Sequence, residues 1–193
     1  RGIWTYNGGT TDIVYSTIST LGNTSDFGDL NSGAWTSGGG SSATRGIFAG
    51  TQGGTKATNS FEYITMATPG NATDYGDLYE NCSNTLQGVV SDNTYGVFMG
   101  GVLGGGYRTT IQYMTIQSSS NGSDFGNLYM SARAYGAQTS DATSKRGVSL
   151  GGYKSSAYNY IDYITIDTPG NATDFGDLIG DTERASGVSG AAA

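Results

Sequence analysis

Tyr163-Ile-Thr-Ile-Asp-Thr-Pro-Gly-Asn-Ala-Thr-Asp-Phe-Gly-Asp-Leu178 decides how this chain is read, because its pattern occurs four times. The segment Asn171-Ala-Thr-Asp-Phe-Gly-Asp-Leu178 returns as Asn71-Ala-Thr-Asp-Tyr-Gly-Asp-Leu78. It returns again as Asn23-Thr-Ser-Asp-Phe-Gly-Asp-Leu30 and as Asn121-Gly-Ser-Asp-Phe-Gly-Asn-Leu128. The first aspartates, Asp26, Asp74, Asp124 and Asp174, are 48, 50 and 50 residues apart. Flanking features keep the same phase. Arg1-Gly2-Ile3, Arg45-Gly46-Ile47, Tyr95-Gly96-Val97 and Arg146-Gly147-Val148 each open a short apolar run that leads into glycine. The units start near residues 1, 45, 95 and 146 and fill residues 1–193 as a single domain. A repeat of this period is the mark of stacked supersecondary units.

Each unit reads as four short strands, a to d, with no helical periodicity. Strand b is the run into glycine, as in Gly96-Val-Phe-Met99. Strand c is β-branched and aromatic, as strands prefer: Ile13-Val-Tyr-Ser-Thr-Ile18, Phe61-Glu-Tyr-Ile-Thr-Met66, Ile111-Gln-Tyr-Met-Thr-Ile116 and Ile161-Asp-Tyr-Ile-Thr-Ile166. Its apolar residues fall on both faces, which predicts sheets covered on both sides. Strand d carries the Asp-aromatic-Gly-Asp-Leu motif. Strand a is small and glycine-rich, and is expected at Gly33-Ala-Trp-Thr36, Gly88-Val-Val-Ser91, Ala134-Tyr-Gly-Ala137 and Ala185-Ser-Gly-Val188. Pro69-Gly70 and Pro169-Gly170 suit the central pair of a type II turn between c and d. Short strands in units of this length match propeller blades, whose innermost strands crowd the axis and favour small residues. The N-terminal strands b, c and d would then pair with the C-terminal strand a and close a four-bladed ring without an open edge. A part of a larger ring, and a ring or fibre built from several chains, are the alternatives.

Composition excludes several chemistries. The chain has 193 residues, 33 glycines, 14 tyrosines, one cysteine and no histidine. A disulfide framework needs paired cysteines. Common zinc sites need Cys or His, and Ser-His or Cys-His catalysis needs a histidine base. A formal net charge of −7 offers no cationic surplus for a nucleic-acid backbone. No apolar run is long enough to span a bilayer as a helix, so membrane insertion is not expected. The 11% aromatic content is too high for a solvated low-complexity linker.

The phase of these residues resembles kelch-type repeats: a diglycine after strand b (Gly100-Gly101, Gly151-Gly152), an aromatic strand c (Tyr113, Tyr163), then an aromatic and a leucine on strand d (Phe125 and Leu128, Phe175 and Leu178). Phenylalanine or tyrosine replaces the usual kelch tryptophan on strand d, and the second unit has no diglycine directly after strand b. The wording of Tyr163 to Leu178 resembles repeats in structural and tail-fibre-like proteins of tailed phages of marine cyanobacteria and other aquatic bacteria. That resemblance implies an all-β, kelch-like β-propeller in a virion, on the extracellular surface of the particle. The partners it implies are other virion proteins, and a host cell-surface polysaccharide or outer-membrane receptor. It implies no ligand identity.

Asp26 and Asp29, Asp74 and Asp77, and Asp174 and Asp177 form repeated acidic pairs; Asp124 stands with Asn127. Paired carboxylates can serve glycoside cleavage. A catalytic site needs only one copy, however, and aspartate beside glycine caps backbone amides. The pairs are therefore read as structural and no catalytic residue is assigned. No cofactor is expected; calcium is the one metal such carboxylates would suit, and no calcium-loop pattern is present. Sequons at Asn23, Asn71, Asn121, Asn171 and Asn81 are read as turn chemistry rather than glycan acceptors. Cys82 is read as passive. The b–c loops vary where the c–d turns do not. They carry Lys56, Tyr107, Arg108, Tyr153, Lys154, Tyr158 and Tyr160, a composition suited to recognition, and these are the expected ligand-binding residues. The expected role is a non-enzymatic virion protein presenting a rigid surface, for host attachment or for virion assembly. A polysaccharide-active enzyme is the remaining alternative.

Overall fold

The computed structural model describes residues 1–6, 8–34, 38–49, 52–53, 56–57, 59–81, 88–103, 105–141 and 143–189. Those residues form an all-β structure with no helix. The first sheet holds β1 (Gly2–Thr5), β2 (Thr10–Ser16) and β3 (Ser25–Ala34). The second holds β4 (Gly38–Ser41), β5 (Arg45–Ala49), β8 (Ser60–Thr65) and β9 (Thr73–Asp77), with a small hairpin of β6 (Gln52–Gly53) and β7 (Lys56–Ala57) inserted between β5 and β8. The third holds β10 (Val90–Ser91), β11 (Tyr95–Leu103), β12 (Gly106–Thr115) and β13 (Ser123–Asn127). The fourth holds β14 (Ala137–Asp141), β15 (Arg146–Leu150), β16 (Tyr158–Thr165) and β17 (Thr173–Thr182). Strands pair in chain order and antiparallel, so each sheet is an up-and-down meander.

The recurrent motif has one local geometry. The c–d ladder is bulged between Ile13 and Val14, Phe61 and Glu62, Ile111 and Gln112, and Ile161 and Asp162. The extra residue on strand d is the aromatic one. The glycine after it has φ of 136–148° at Gly28, Gly76, Gly126 and Gly176, a region that disfavours any side chain. The first aspartate closes the bulge: Asp26, Asp74 and Asp174 accept from the amides of Gly28, Gly76 and Gly176. Lack of a side chain also permits close approach. A Cβ on Gly28 would lie 2.4 Å from the Gly70 carbonyl oxygen, and one on Gly126 2.4 Å from that of Gly170.

The bulge turns the strand-d aromatic towards the next sheet, and three cores result. Ile13, Phe27 and Leu30 of the first sheet pack on Phe48, Ile64 and Ala72 of the second. Phe61, Tyr75 and Leu78 of the second pack on Phe98, Met114 and Ile116 of the third. Ile111, Phe125 and Leu128 of the third pack on Ile164, Ile166 and Ala172 of the fourth. The same face leads and the same face follows at every junction. The second and third sheets are covered on both sides, as strand c predicts. The first and fourth are covered on one side only.

Three expectations are corrected. Strand a is misplaced in most units: β4 begins at Gly38 rather than Gly33, and β14 at Ala137 rather than Ala134. Gly33 and Ala34 extend β3, while Trp35 and Thr36 lie outside the described residues. Glycine and serine have no side-chain alternation to pin a register, so pairing partners set it. The c–d turn closes earlier than expected, with Thr68 N donating to Thr65 O and Thr168 N to Thr165 O, and neither Gly70 nor Gly170 has positive φ. Their carbonyls lie against Gly28 and Gly126 of the preceding sheet, and it is those two glycines that permit the approach. Finally, Ala185–Val188 is not a strand and does not pair with β1, whose described partner is β2 alone. The segment runs beside β14, where Ser189 Oγ donates to the Ser140 carbonyl. Among the described residues the expected ring closure through strand a is therefore not formed.

Candidate functional site

Tyrosines from two b–c loops meet over the junction of the third and fourth sheets. Tyr107 opens β12 just beyond the Leu103–Gly106 hairpin end. Tyr153 lies in the loop between β15 and β16. Their rings contact edge to face, with centroids 6.2 Å apart. Tyr158 and Tyr160 are two apart on β16 and therefore share a face; their rings stack at 5.0 Å and 17°. Ser131 Oγ, from the d–a connection of the third unit, reaches the Tyr158 hydroxyl at 3.5 Å.

Backbone bonds hold this surface. Tyr153 N donates to Ala134 O and Ala134 N to Tyr153 O, at 2.8 and 3.1 Å. Tyr158 N donates to Gly152 O and Arg133 N to Arg108 O. Below lies an ion pair, Arg133 Nη2 to Asp162 Oδ2 at 2.8 Å, with both side chains almost wholly buried. The diglycine explains how backbone and guanidinium stem fit there. A Cβ on Gly152, which has φ of 112°, would lie 2.9 Å from Ala134 O and 3.1 Å from Arg133 Cδ. The Tyr107 phenol is pushed above its ordinary value by burial, with Tyr135, Tyr153 and Glu183 adding to the effect. It stays protonated at neutral pH and keeps a hydrogen to donate.

Of the remaining expected residues, Arg108 and Lys154 adjoin the tyrosines in sequence, and Lys56 belongs to the second unit. Arg108 adjoins Tyr107, and its Nε is buried without a hydrogen-bond partner among the described residues. Lys154 is exposed, with its amide donating to Ser156 O. Lys56 lies on β7, and its side chain is outside the described residues. Cys82 is also outside them. Tyr135, Glu183 and Arg184 belong with the cluster and were not expected in it. Tyr135 has φ of 62°, its carbonyl accepts from Arg184 N, and the Arg184 guanidinium lies 5.6 Å from its ring centre. Tyr135 was expected within a strand, and Glu183 and Arg184 follow β17 outside the repeated motif, so none was grouped with the b–c loops.

Several members of the acidic pairs and sequons are engaged structurally. Asp29 Oδ1 accepts from Thr11 Oγ1, and Asn127 Oδ1 from Thr109 Oγ1. Asn71, Asn121 and Asn171 each use Oδ1 to accept the strand-d amide of the preceding sheet, from Asp29, Asp77 and Asn127. Among the described residues no group of three acidic or thiol side chains is placed to hold a metal ion. The arrangement offers a firm, aromatic, hydrogen-bonding surface. No family model matches this sequence, and no curated protein is detectably similar to it.

Proposed function

We propose that this chain is a non-enzymatic interaction module of a phage virion, built from kelch-like propeller blades, and that the tyrosine surface is what it presents. The observation that carries the reading is the contact of Tyr107 with Tyr153 across two loops that are themselves tied down by backbone hydrogen bonds. Rigid tyrosines supply contact area at low cost in conformational entropy. Their ring faces suit the CH-rich faces of sugars, and their hydroxyls suit sugar hydroxyls. A host cell-surface polysaccharide is therefore the favoured partner, ahead of a protein receptor in the outer membrane. The structural use of the acidic pairs supports a binding role over glycoside cleavage. The net charge of −7 supplies no long-range attraction to an anionic envelope, so contact chemistry or a bridging divalent cation has to carry the affinity.

The test is retention of the labelled chain on intact candidate host cells, with and without calcium and competing surface polysaccharide. Saturable retention that polysaccharide abolishes, and that Tyr107→Ala and Tyr153→Ala each weaken about tenfold or more without loss of fold, is the expected result. Equal retention of wild type and both variants would refute the site. A folded chain that binds no host cell would favour an assembly role within the virion.

A further inference from the structure

The two outer sheet faces are left open, and they are the two halves of the junction used inside the chain. The leading aromatic is buried at Phe27, Tyr75 and Phe125, at 2–3% exposure, but Phe175 of the fourth sheet is 52% exposed. The following face is buried at Ile116 and Ile166, at 0–1%, but the equivalent Ile18 of the first sheet is 76% exposed. Trp4, equivalent to the buried Phe48 and Phe98, is 47% exposed.

The backbone repeats the mismatch. Gly28, Gly76 and Gly126 lie against the backbone of Gly70, Ser120 and Gly170, whereas nothing lies within 4 Å of a Cβ on Gly176. The counterpart of Gly70 and Gly170 in the first unit is Gly22, which no described strand-d glycine approaches. Asn71, Asn121 and Asn171 hold the preceding strand d, and no described residue is held by Asn23. Arg1 stacks on Tyr15 and donates to Met66 O and Ala67 O of the next sheet; Arg45 stacks on Tyr63 and donates to Ile116 O. Arg146 stacks on Tyr163 in the same manner, without a next sheet to reach.

Inner segments extend the pattern. Ser91 Oγ donates to Ser41 O, Ser140 Oγ to Ser91 O, and Ser189 Oγ to Ser140 O. Residues 185–189 thus stand where the inner strand of a following sheet belongs. Among the described residues the first sheet lacks that strand, and a cleft bounded by Arg1, Ile3, Gly39 and Gly40 runs beside β1.

We infer that the open face of the fourth sheet takes the open face of the first sheet of a second copy of this chain, head to tail. Residues 185–189 pair with β1 of that copy and complete its sheet. Continuity with three existing junctions argues for this occupant: each group waiting at one end has its counterpart at the other. The junction differs at one place. Glu62, Gln112 and Asp162 accept an amide from just after the strand-d leucine of the preceding sheet, and the equivalent residue is Val14. There Val14 meets Ile179, which is fully exposed in the single chain, so an apolar contact replaces the polar clamp.

Because the two faces differ, each copy has one of each, and the interface is heterologous. The experiment is sedimentation velocity over a concentration series on wild type, Ile18→Asp and Phe175→Asp. Both substituted side chains are exposed in the single chain, so the variants fold; circular dichroism checks this. Wild type is expected to associate, and each variant to need about tenfold or more higher concentration for half-association. Mixing the two variants restores a pair, because one retains the tail face and the other the head face. A wild-type chain that stays monomeric over the series overturns the inference, as it would if the chain closed on itself. A mixture that fails to associate, or a dimer abolished by only one of the two substitutions, also overturns it.

Discussion

Glu62 and Asp162 occupy the same place in the second and fourth sheets and do the same work at different electrostatic cost. Each uses one carboxylate oxygen to accept a backbone amide from the preceding sheet, Glu62 from Asn31 and Asp162 from Tyr129. Asp162 also has Arg133 at 2.8 Å. Glu62 has no cation among the described residues; its Oε1 is buried without a hydrogen bond, and burial is the main reason its carboxyl is held above the ordinary 4.5. Gln112 solves the same problem without charge, accepting from Glu80 N and donating to Glu80 O. The junction needs an acceptor at this position, not an ion. Charge is tolerated where a cation is buried beside it, and that is the junction on which the tyrosine surface stands.

Breaking the paired junction should have the largest effect. Arg133→Ala leaves Asp162 buried without its cation and is expected to cost about 3–5 kcal/mol, read from urea unfolding at neutral pH. It should also loosen the loops above it and weaken the Tyr107–Tyr153 surface. A pair of glycine substitutions separates packed junctions from the open end. Gly176→Ala meets no neighbouring atom and pays backbone strain alone, about 1–3 kcal/mol. Gly126→Ala adds a collision with the Gly170 carbonyl and should cost more, both measured on the single chain. Equal penalties would mean that the junction backbone is not closely packed.

Removing one inter-sheet bond comes next. Asn171→Ala leaves the Asn127 amide without its acceptor at an exposed site and is expected to cost about 1 kcal/mol. The smallest effect sharpens the comparison most. A carboxyl with a raised pKa binds its proton more tightly in the folded state. Its contribution is therefore most favourable below the unfolded pKa and declines as pH rises through the folded one. Glu62→Gln keeps the acceptor for Asn31 N and removes that decline. Its stability relative to wild type should improve between pH 4 and pH 8 in parallel urea titrations. No change with pH would show that Glu62 ionises at no cost.

The repeat carried most of the fold into view before any coordinates. Strands b, c and d follow from β-branched and aromatic runs around a fixed glycine phase, and the structural use of the aspartates follows from Asp two residues before Gly. The tyrosine site was partly legible, since variable loops stood out against uniform turns. Tyr135, Glu183 and Arg184 were not, because Tyr135 lies in a stretch expected as a strand and the other two follow β17 outside the repeated motif.

The inner strands show where sequence reasoning stops. Gly38–Ser41 and Ala137–Asp141 have no hydrophobic alternation, so nothing in their side chains selects one register over another. Their neighbours across the sheet select it. The two outer faces show the same limit from the other side. The four units are alike in sequence, so each is written as if both its faces were buried. Local chemistry alone determined the three outer strands of each sheet, the bulge and its aromatic. Which sheets have a neighbour is a property of the assembled chain. Only the tertiary structure decided that Phe125 is buried and Phe175 is not, because burial depends on what lies across the junction rather than on the residue itself.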